Sequence, residues 1–361
     1  MKKVTDIGYM FKKLAFILLL FGTNAQAGHS DLGDDTSQWP FVYQTSQYSG
    51  EAELSAPQEK RYELAYYHFL GKYFNVNLLD SYVLVCAGYP TFQLDCISPE
   101  HIAVGFTEQK SGARHIAILG GYLESFEPST KGRHYNFLGH AYSDRPQDPK
   151  ARPDIGVGIF LDDSEIRQFP SGGVWKASLE LRQVNISPAG GTPSWTYIKV
   201  NITLNLTDSK NIRIWFPQSH GSTTSVALSS RSPHVTVDAC LYDGYNSNSN
   251  RLDVMFNSQN AGPDNTFKLA RLSGSGHLPY QVRVAPPDNP GALKAVRPGE
   301  TVTYTGMNNA PVRQVSMPGL QIPVVCVPWA IELQLSPYNR RYVMAGHYSD
   351  VLTLTLTPSL N

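Results

Sequence analysis

The chain has 361 residues, 41% hydrophobic and 17% charged, with 30 Lys and Arg against 30 Asp and Glu. That is a globular composition with room for two domains, neither disordered nor collagen-like. A formal charge of zero, with no basic run longer than Arg340 and Arg341, excludes the cationic footprint of a duplex or anionic-membrane binder, so no nucleic-acid partner is expected.

The chain opens on an export signal. Lys2, Lys3, Lys12 and Lys13 precede eight apolar residues at 14–21 (LAFILLLF), and Ala25-Gln26-Ala27 supplies a small-x-small cleavage site. Eight apolar residues cannot cross a bilayer core that takes about 20 in a helix. Cleavage after Ala27 removes four lysines and Asp6, leaving 26 basic and 29 acidic residues, a net charge of −3.

Beyond the signal, residues 59–70 (EKRYELAYYHFL) carry the spacing of a short surface helix, and 165–169 that of a single turn. Otherwise period-2 alternation dominates: 82–86 (YVLVC), 115–119 (HIAIL), 175–181 (WKASLEL) and 197–206 (YIKVNITLNL) read as strands. In the last, Ile198, Val200, Ile202, Leu204 and Leu206 share one face, as in a half-buried sandwich strand. The pattern continues at 212–216 (IRIWF), 252–256 (LDVMF), 280–284 (YQVRV), 331–335 (IELQL) and 351–357 (VLTLTLT). With 29 Gly, 25 Pro and 20 Tyr, short strands joined by turns are favoured over long helices. The polar stretch 207–210 (TDSK) divides two alternating strands and marks the expected boundary: a signal at 1–27, a first domain at 28–208, a linker at 209–210 and a second domain at 211–361.

Four cysteines follow the signal: Cys86, Cys96, Cys240 and Cys326. Three pairings are possible. Spacing favours Cys86 with Cys96 and Cys240 with Cys326, one bridge per domain, as suits an oxidising compartment. Close Cys/His pairs of a metal site are absent. His134 and His140 are the nearest to a pair, and the loop 243–248 (DGYNSN) has the look of a calcium loop but lacks its alternating carboxylates and later Glu, which leaves a turn. The sequence has no G-x-S-x-G elbow, H-E-x-x-H or phosphate loop, and Asp162-Asp163 and Asp34-Asp35 suit solvated turns. No cofactor, metal or enzymatic activity is expected.

Several stretches in one order carry a resemblance. Residues 171–182 (SGGVWKASLELR), 200–217 (VNITLNLTDSKNIRIWFP), 238–245 (DACLYDGY) and 317–328 (MPGLQIPVVCVP) resemble the minor tip adhesins of alternate-chaperone, class-five fimbriae, meaning the colonisation-factor tip subunits and CblD-type pilus biogenesis initiators of Gram-negative bacteria. The resemblance is densest over 170–253 and around Cys326. It implies an all-β chain of two immunoglobulin-like sandwiches in tandem, an adhesin domain and then a pilin domain lacking one strand that the next subunit donates. The implied partners are a major pilin subunit, a periplasmic chaperone, an outer-membrane usher and a host glycan or glycoprotein receptor. The implied location is the fimbrial tip at the cell surface, reached through the periplasm. Ile212, Ile214 and Phe216 on one side and Leu352, Leu354 and Leu356 on the other would border the donor-strand groove.

The receptor site transfers less directly. The family's arginine cluster, one member before the first adhesin cysteine and two after the W-x-A-x-L strand, meets Ser81 and Asn185-Ile186 here. Lys110, Arg114, Arg133 and Arg182 are the basic residues near the same strands, and suit a sialylated or sulfated sugar. Competing readings are a secreted β-sandwich carbohydrate-active enzyme, which needs paired carboxylates in a cleft, a pilus initiator without adhesive activity, and a eukaryotic glycoprotein with sequons at Asn185, Asn201 and Asn205.

Overall fold

The computed structural model describes residues 28–32, 41–56, 60–69, 81–86, 96–98, 101–125, 132–134, 155–186, 194–339 and 341–359, with side chains over 47–56, 60–66, 102–122, 158–179, 199–339 and 341–359. The expected export signal and the side chains of Cys86 and Cys96 lie outside the described residues, as does the bridge expected between them.

The first unit is one sheet of eleven strands: β1 (Gly28–Leu32), β2 (Phe41–Glu53), β3 (Arg61–Phe69), β4 (Ser81–Cys86), β5 (Cys96–Ser98), β6 (His101–Glu108), β7 (Arg114–Ser125), β8 (Gly132–His134), β9 (Ile155–Asp162), β10 (Gly173–Ile186) and β11 (Ser194–Thr207). Its main path runs β1-β3-β9-β7-β6-β10-β11-β2, with β4 on β10, β5 on β6 and β8 on β7. Alternation drives the burial. Along β11, Val200, Ile202, Leu204 and Leu206 are buried while the residues between them are half-buried, each buried side chain contributing roughly 1.5–3 kcal/mol. The sheet folds back until β2 and β11 meet β3. Leu64 and Ala65 thereby join the β11 side chains in a core built around Phe106, Phe169 and Trp175. Trp175 is fully buried, meets Phe169 edge-on at 5.1 Å, and donates its indole N–H to the Ser171 carbonyl at 3.1 Å.

Residues 59–70 correct the helical expectation, because 61–69 form β3. Pairing of β3 with β9 shifts register between Glu63 and Ala65, and the bulge turns Leu64 and Ala65 both inward. Buried positions at 62, 64 and 65 then lose the period-2 signature. The single turn expected near 165–169 is α1 (Asp163–Ile166).

The second unit contains β12 (Arg213–Trp215), β13 (His234–Tyr242), β14 (Arg251–Ser258), β15 (Phe267–Arg271), β16 (His277–Val284), β17 (Lys294–Val296), β18 (Thr301–Thr305), β19 (Arg313–Val315), β20 (Val324–Leu335), β21 (Tyr348–Ser349) and β22 (Leu352–Ser359). One sheet runs β12-β13-β20-β16-β15-β21, with β17 on β16 and β19 on β20. The other runs β18-β14-β22. Between them lies a separate core around Phe256, Tyr280, Val282, Trp329 and Ile331. The indole N–H of Trp329 reaches both the Ala285 carbonyl and the Tyr304 hydroxyl at 3.2 Å. A bridge joins Cys240 of β13 to Cys326 of β20, with Cα atoms 5.7 Å apart and a sequence separation of 86. It sits in a small cluster with Trp215, Tyr242, Met317 and Val324. The all-β, two-unit class expected from the sequence is the fold observed.

Candidate functional site

Among the strand edges of the second unit that lack a partner among the described residues are those of β22 and of the first part of β13. β22 pairs with β14 from Leu352 opposite Ser258 to Ser359 opposite Arg251, and with no other described strand. β12 pairs with β13 only through 213–215 and 240–242, so the edge of β13 turned away from β20 is bare from His234 to Ala239. β12 and β22 come into contact, yet no ladder joins them. On β22 the sequence alternates cleanly: Leu352, Leu354 and Leu356 are half-buried against the second core, and Thr353, Thr355 and Thr357 are exposed. Ile214 and Phe216 belong to that core. Ile212 stands outside β12, with its Cγ1 close to Gly244. Leucines part-covered beside unpaired backbone are what an added strand would cover on one side and bond on the other.

The start of β22 is pinned. Asp350 Oδ2 accepts hydrogen bonds from Tyr280 Oη and Ser258 Oγ, each at 2.6 Å, and its Oδ1 accepts one from the Asn260 amide at 3.1 Å. Burial, followed by the bond to Asp350, pushes the Tyr280 phenol well above its ordinary value.

The junction between the units is a second constellation, one that alternation in the sequence does not reveal. Glu108 continues the inward face of β6 after Ile102, Val104 and Phe106, and is fully buried. Its carboxylate is satisfied locally: Oε2 accepts from the Lys110 amide (3.0 Å) and from the Ser111 amide and hydroxyl (2.6 and 2.7 Å), and Oε1 from the Val174 amide at 3.1 Å. The turn so formed aims Lys110 across the junction, where its Nζ donates to the carbonyls of Ser247 and, at 2.8 Å, Asn308. Burial lowers the Lys110 pKa, opposed by the charges of Asp243 and Glu108.

The loop read as a turn at 243–248 is the other half of this junction. Asp243 accepts from the amides of Tyr245 (2.8 Å), Ser247 (2.8 Å) and Ser249 (2.9 Å), which occupies the carboxylate with the loop's own backbone. Asn246, fully buried with φ of 51°, donates to Ser171 Oγ (3.1 Å) and the Gly172 carbonyl (2.6 Å) and accepts from the Val325 amide (3.0 Å). Tyr245 Oη donates to Asn205 Oδ1 at 3.0 Å, and Ile322 packs against the first core. Two glycines allow this approach: a Cβ on Gly172 would collide with the Gly244 carbonyl oxygen, and one on Gly244, whose φ is 70°, with that of Asp208. Burial, with the charge of Glu53 added, raises the Asp208 pKa against the opposing bond from Asn211. At Glu53 burial also raises the pKa, but bonds from Ser55, Ser209 and Thr207 outweigh it and the net shift is downward.

The four basic candidates do not converge. Lys110 is committed to the junction. Arg114 is exposed at the same end of the β6–β7 hairpin, paired in register with Thr107. Arg133 lies opposite Glu124, ten residues along β7 from Arg114, about 33 Å at strand rise. Arg182 pairs in register with Val85 and Tyr197, well along β10 from the junction contact at Trp175 and Glu108. The side chains of Arg133 and Arg182 lie outside the described residues.

Among the described residues no three His, Cys, Asp or Glu side chains group as metal ligands; the His134 side chain and all of His140 fall outside them. A cleft of about 620 Å³ at the junction, lined by Leu54, Phe169, Pro170, Lys210 and Gln321 among others, has Asp208 as its one carboxylate and so lacks the acid pair of a glycosidase. Asp162 is held by Arg61 at 2.9 Å and Asp163 by Arg167 at 3.4 Å, while Asp34-Asp35 lies outside the described residues.

Two family models match the chain: the first domain of CfaE, a component of CFA/I fimbriae, over residues 84–209, and the second domain of the same protein over 212–360. The CFA/I fimbrial protein CfaE of Escherichia coli is 32% identical over 275 residues, covering 72% of this chain and 72% of the relative. Among solved structures, CfaE, the adhesive subunit of CFA/I fimbria of enterotoxigenic Escherichia coli, aligns with a TM-score of 0.64 at 22% identity over 89% of this chain and 93% of that one. A chaperone–tip adhesin complex described as vital for synergistic activation of CFA/I fimbriae biogenesis aligns at 0.57 and 21%, over 89% of this chain and 98% of that one. At these identities the two structures share the fold.

Proposed function

Because the chain belongs to the CfaE family of CFA/I-type fimbriae, a family of fimbrial adhesins and not of enzymes, we propose how its two units divide the work of a fimbrial tip protein at the cell surface. The first, 28–208, is the adhesive head, and the second, 211–361, is the pilin unit that joins the head to the fibre, with 209–210 as the linker. Two separate cores and family models that end at 209 and resume at 212 support this division.

The observation that carries the reading is the seam bordered by the bare edges of β22 and of β13 from His234 to Ala239, with β12 at one end and half-buried Leu352, Leu354 and Leu356 along it. A strand from the amino-terminal extension of the major pilin subunit fits that seam, bonding to the bare backbone and covering the leucines. Before assembly a periplasmic chaperone shields the same edge, and an outer-membrane usher passes the tip protein on. The relative whose structure holds a chaperone with a tip adhesin supports the first of these partners. The head binds a host glycan or glycoprotein, with Arg114, Arg133 and Arg182 as the remaining basic candidates.

The test is to fuse the donor strand of the major pilin after Asn361. Fusion should raise the melting temperature of the chain by about ten degrees or more, and Leu354→Asp should abolish that gain by setting a carboxylate among apolar side chains, at several kcal/mol. Thr353→Asp, on the exposed face, should keep it. Equal stability with and without the donor would refute the reading.

A further inference from the structure

The seam has one usable mouth. β14 leaves the junction loop at Arg251 and runs away from the first unit to Ser258, so antiparallel β22 begins with Leu352 at the remote pole and ends with Ser359 beside the junction. At the junction end the first unit is seated, through Asn246 and Lys110. The body of any protein whose strand lies in the seam must therefore stand at the remote pole, next to Leu352.

That pole holds a concentrated apolar surface. Leu272 is 71% exposed, Tyr342 86%, Met344 52% and Val351 57%, half of the exposed large hydrophobics found among the described residues. The segments of Leu272 and Met344 are tied together, and Tyr342 and Val351 lie on the same stretch of chain as Met344, which runs on to β22. The Leu272 amide bonds to the His347 carbonyl at 2.9 Å, Arg271 reaches the Ala345 carbonyl at 2.9 Å and the Met344 sulfur at 3.6 Å, and Tyr348 Oη bonds to the Met344 carbonyl at 2.6 Å. Val351 immediately precedes β22, and its carbonyl is bonded by the Gln259 amide, so the surface is continuous with the mouth of the seam. Arg341, exposed, adds positive charge at its rim. Contiguous exposed aliphatic and aromatic side chains with a charged rim mark a protein contact more often than a solvated face.

We propose that this pole is a docking surface for the globular body of the next fimbrial subunit, which presents an apolar patch with an acidic rim and makes a second contact beyond its donated strand. The proposal rests on the donor-strand reading of the seam. Its consequence is a fixed angle between tip and fibre, because a lone inserted strand leaves the body free to pivot at the mouth and a second contact does not.

Hydrogen–deuterium exchange on three complexes of the full chain tests it: with the periplasmic chaperone, with a synthetic peptide of the major pilin's amino-terminal extension, and with the whole major pilin. Peptide and whole pilin should both slow exchange along 352–359. Only the whole pilin should also slow, about tenfold or more, the amides of 271–276 and 341–347. Leu272→Ser combined with Tyr342→Ser changes two exposed side chains, and should leave the peptide complex intact while removing the extra protection. Equal exchange at this pole in the peptide and whole-pilin complexes would overturn the proposal and leave the seam reading standing. A peptide that fails to protect 352–359 would remove both. Protection of the pole by the chaperone and not by the pilin, or self-association of the peptide complex through it, would assign the surface to another occupant and overturn the proposal as well.

Discussion

Replacing Asn246 by alanine should weaken the hold between the two units more than any single change on the surface. The substitution deletes three hydrogen bonds at once, to Ser171 Oγ, the Gly172 carbonyl and the Val325 amide. Ser171, Gly172 and Val325 are all buried, so the abandoned groups have no water to turn to. Two or three orphaned polar atoms at about 1–3 kcal/mol each, with about 1 kcal/mol for a Cβ-bearing residue at φ of 51° that lacks the local bonding of asparagine, give a loss of about 3–10 kcal/mol. Against a total stability of about 5–15 kcal/mol this is large. Urea unfolding of the chain carrying a fused donor strand, followed by tryptophan fluorescence, reads it out, because Trp175 reports on the first core and Trp329 on the second. Asn246→Gly should recover the backbone part and none of the rest. A change below about 0.5 kcal/mol, the usual range for surface substitutions, would refute the assignment of Asn246 as the central clamp.

Further outcomes follow from other sites. Asp208 has its carboxyl pKa raised in the folded chain, mainly by burial, so its contribution to stability is full below the unfolded value and is lost as pH rises through the folded one. Asp208→Asn should therefore stabilise the chain at pH 7, with a gain that shrinks toward zero as the pH falls to about 4; a gain that persists in acid would exclude this cause. On an array of sialylated and sulfated glycans, Arg182→Ala and Arg133→Ala should each weaken binding of the full chain about tenfold or more, and Lys110→Ala, spent at the junction, should leave it unchanged. Non-reducing peptide mapping should return Cys86 with Cys96 and Cys240 with Cys326, and any bridge between the two halves of the chain would contradict the division at 208–211.

The strands that alternate in sequence alternate in space, and 197–206 shows why they were legible: each buried side chain on β11 has a neighbour facing the other way. Residues 59–70 were misleading for an equally local reason. The bulge at Glu63 and Ala65 puts two consecutive residues inside, and a period of 2 interrupted by one resembles a period nearer 3.6. Glu108 hid in plain view, since a carboxylate at an inward position reads as the end of a strand unless its four donors are known. The junction was beyond local reading altogether. Asn246 finds partners some 75 residues before it and 79 after it, and a Gly-Tyr-Asn-Ser loop has the same composition whether it faces water or another domain. A resemblance in residues 171–182 and 238–245 marks those segments as special, while their meeting point is supplied only by the fold.

The bridge between Cys240 and Cys326 lies on the face of β13 and β20 turned away from the core between the two sheets, and Trp215 of β12 joins it in the smallest of the three apolar clusters. That placement sets a covalent bond beneath an edge strand. A polypeptide that still carries free thiols lacks the covalent floor beneath Trp215, and the short edge strand that Trp215 anchors stands at one end of the seam. On the donor-strand reading proposed above, closing this bridge and bracing that strand are one event, and reducing the bridge should loosen β12 before the core between the sheets.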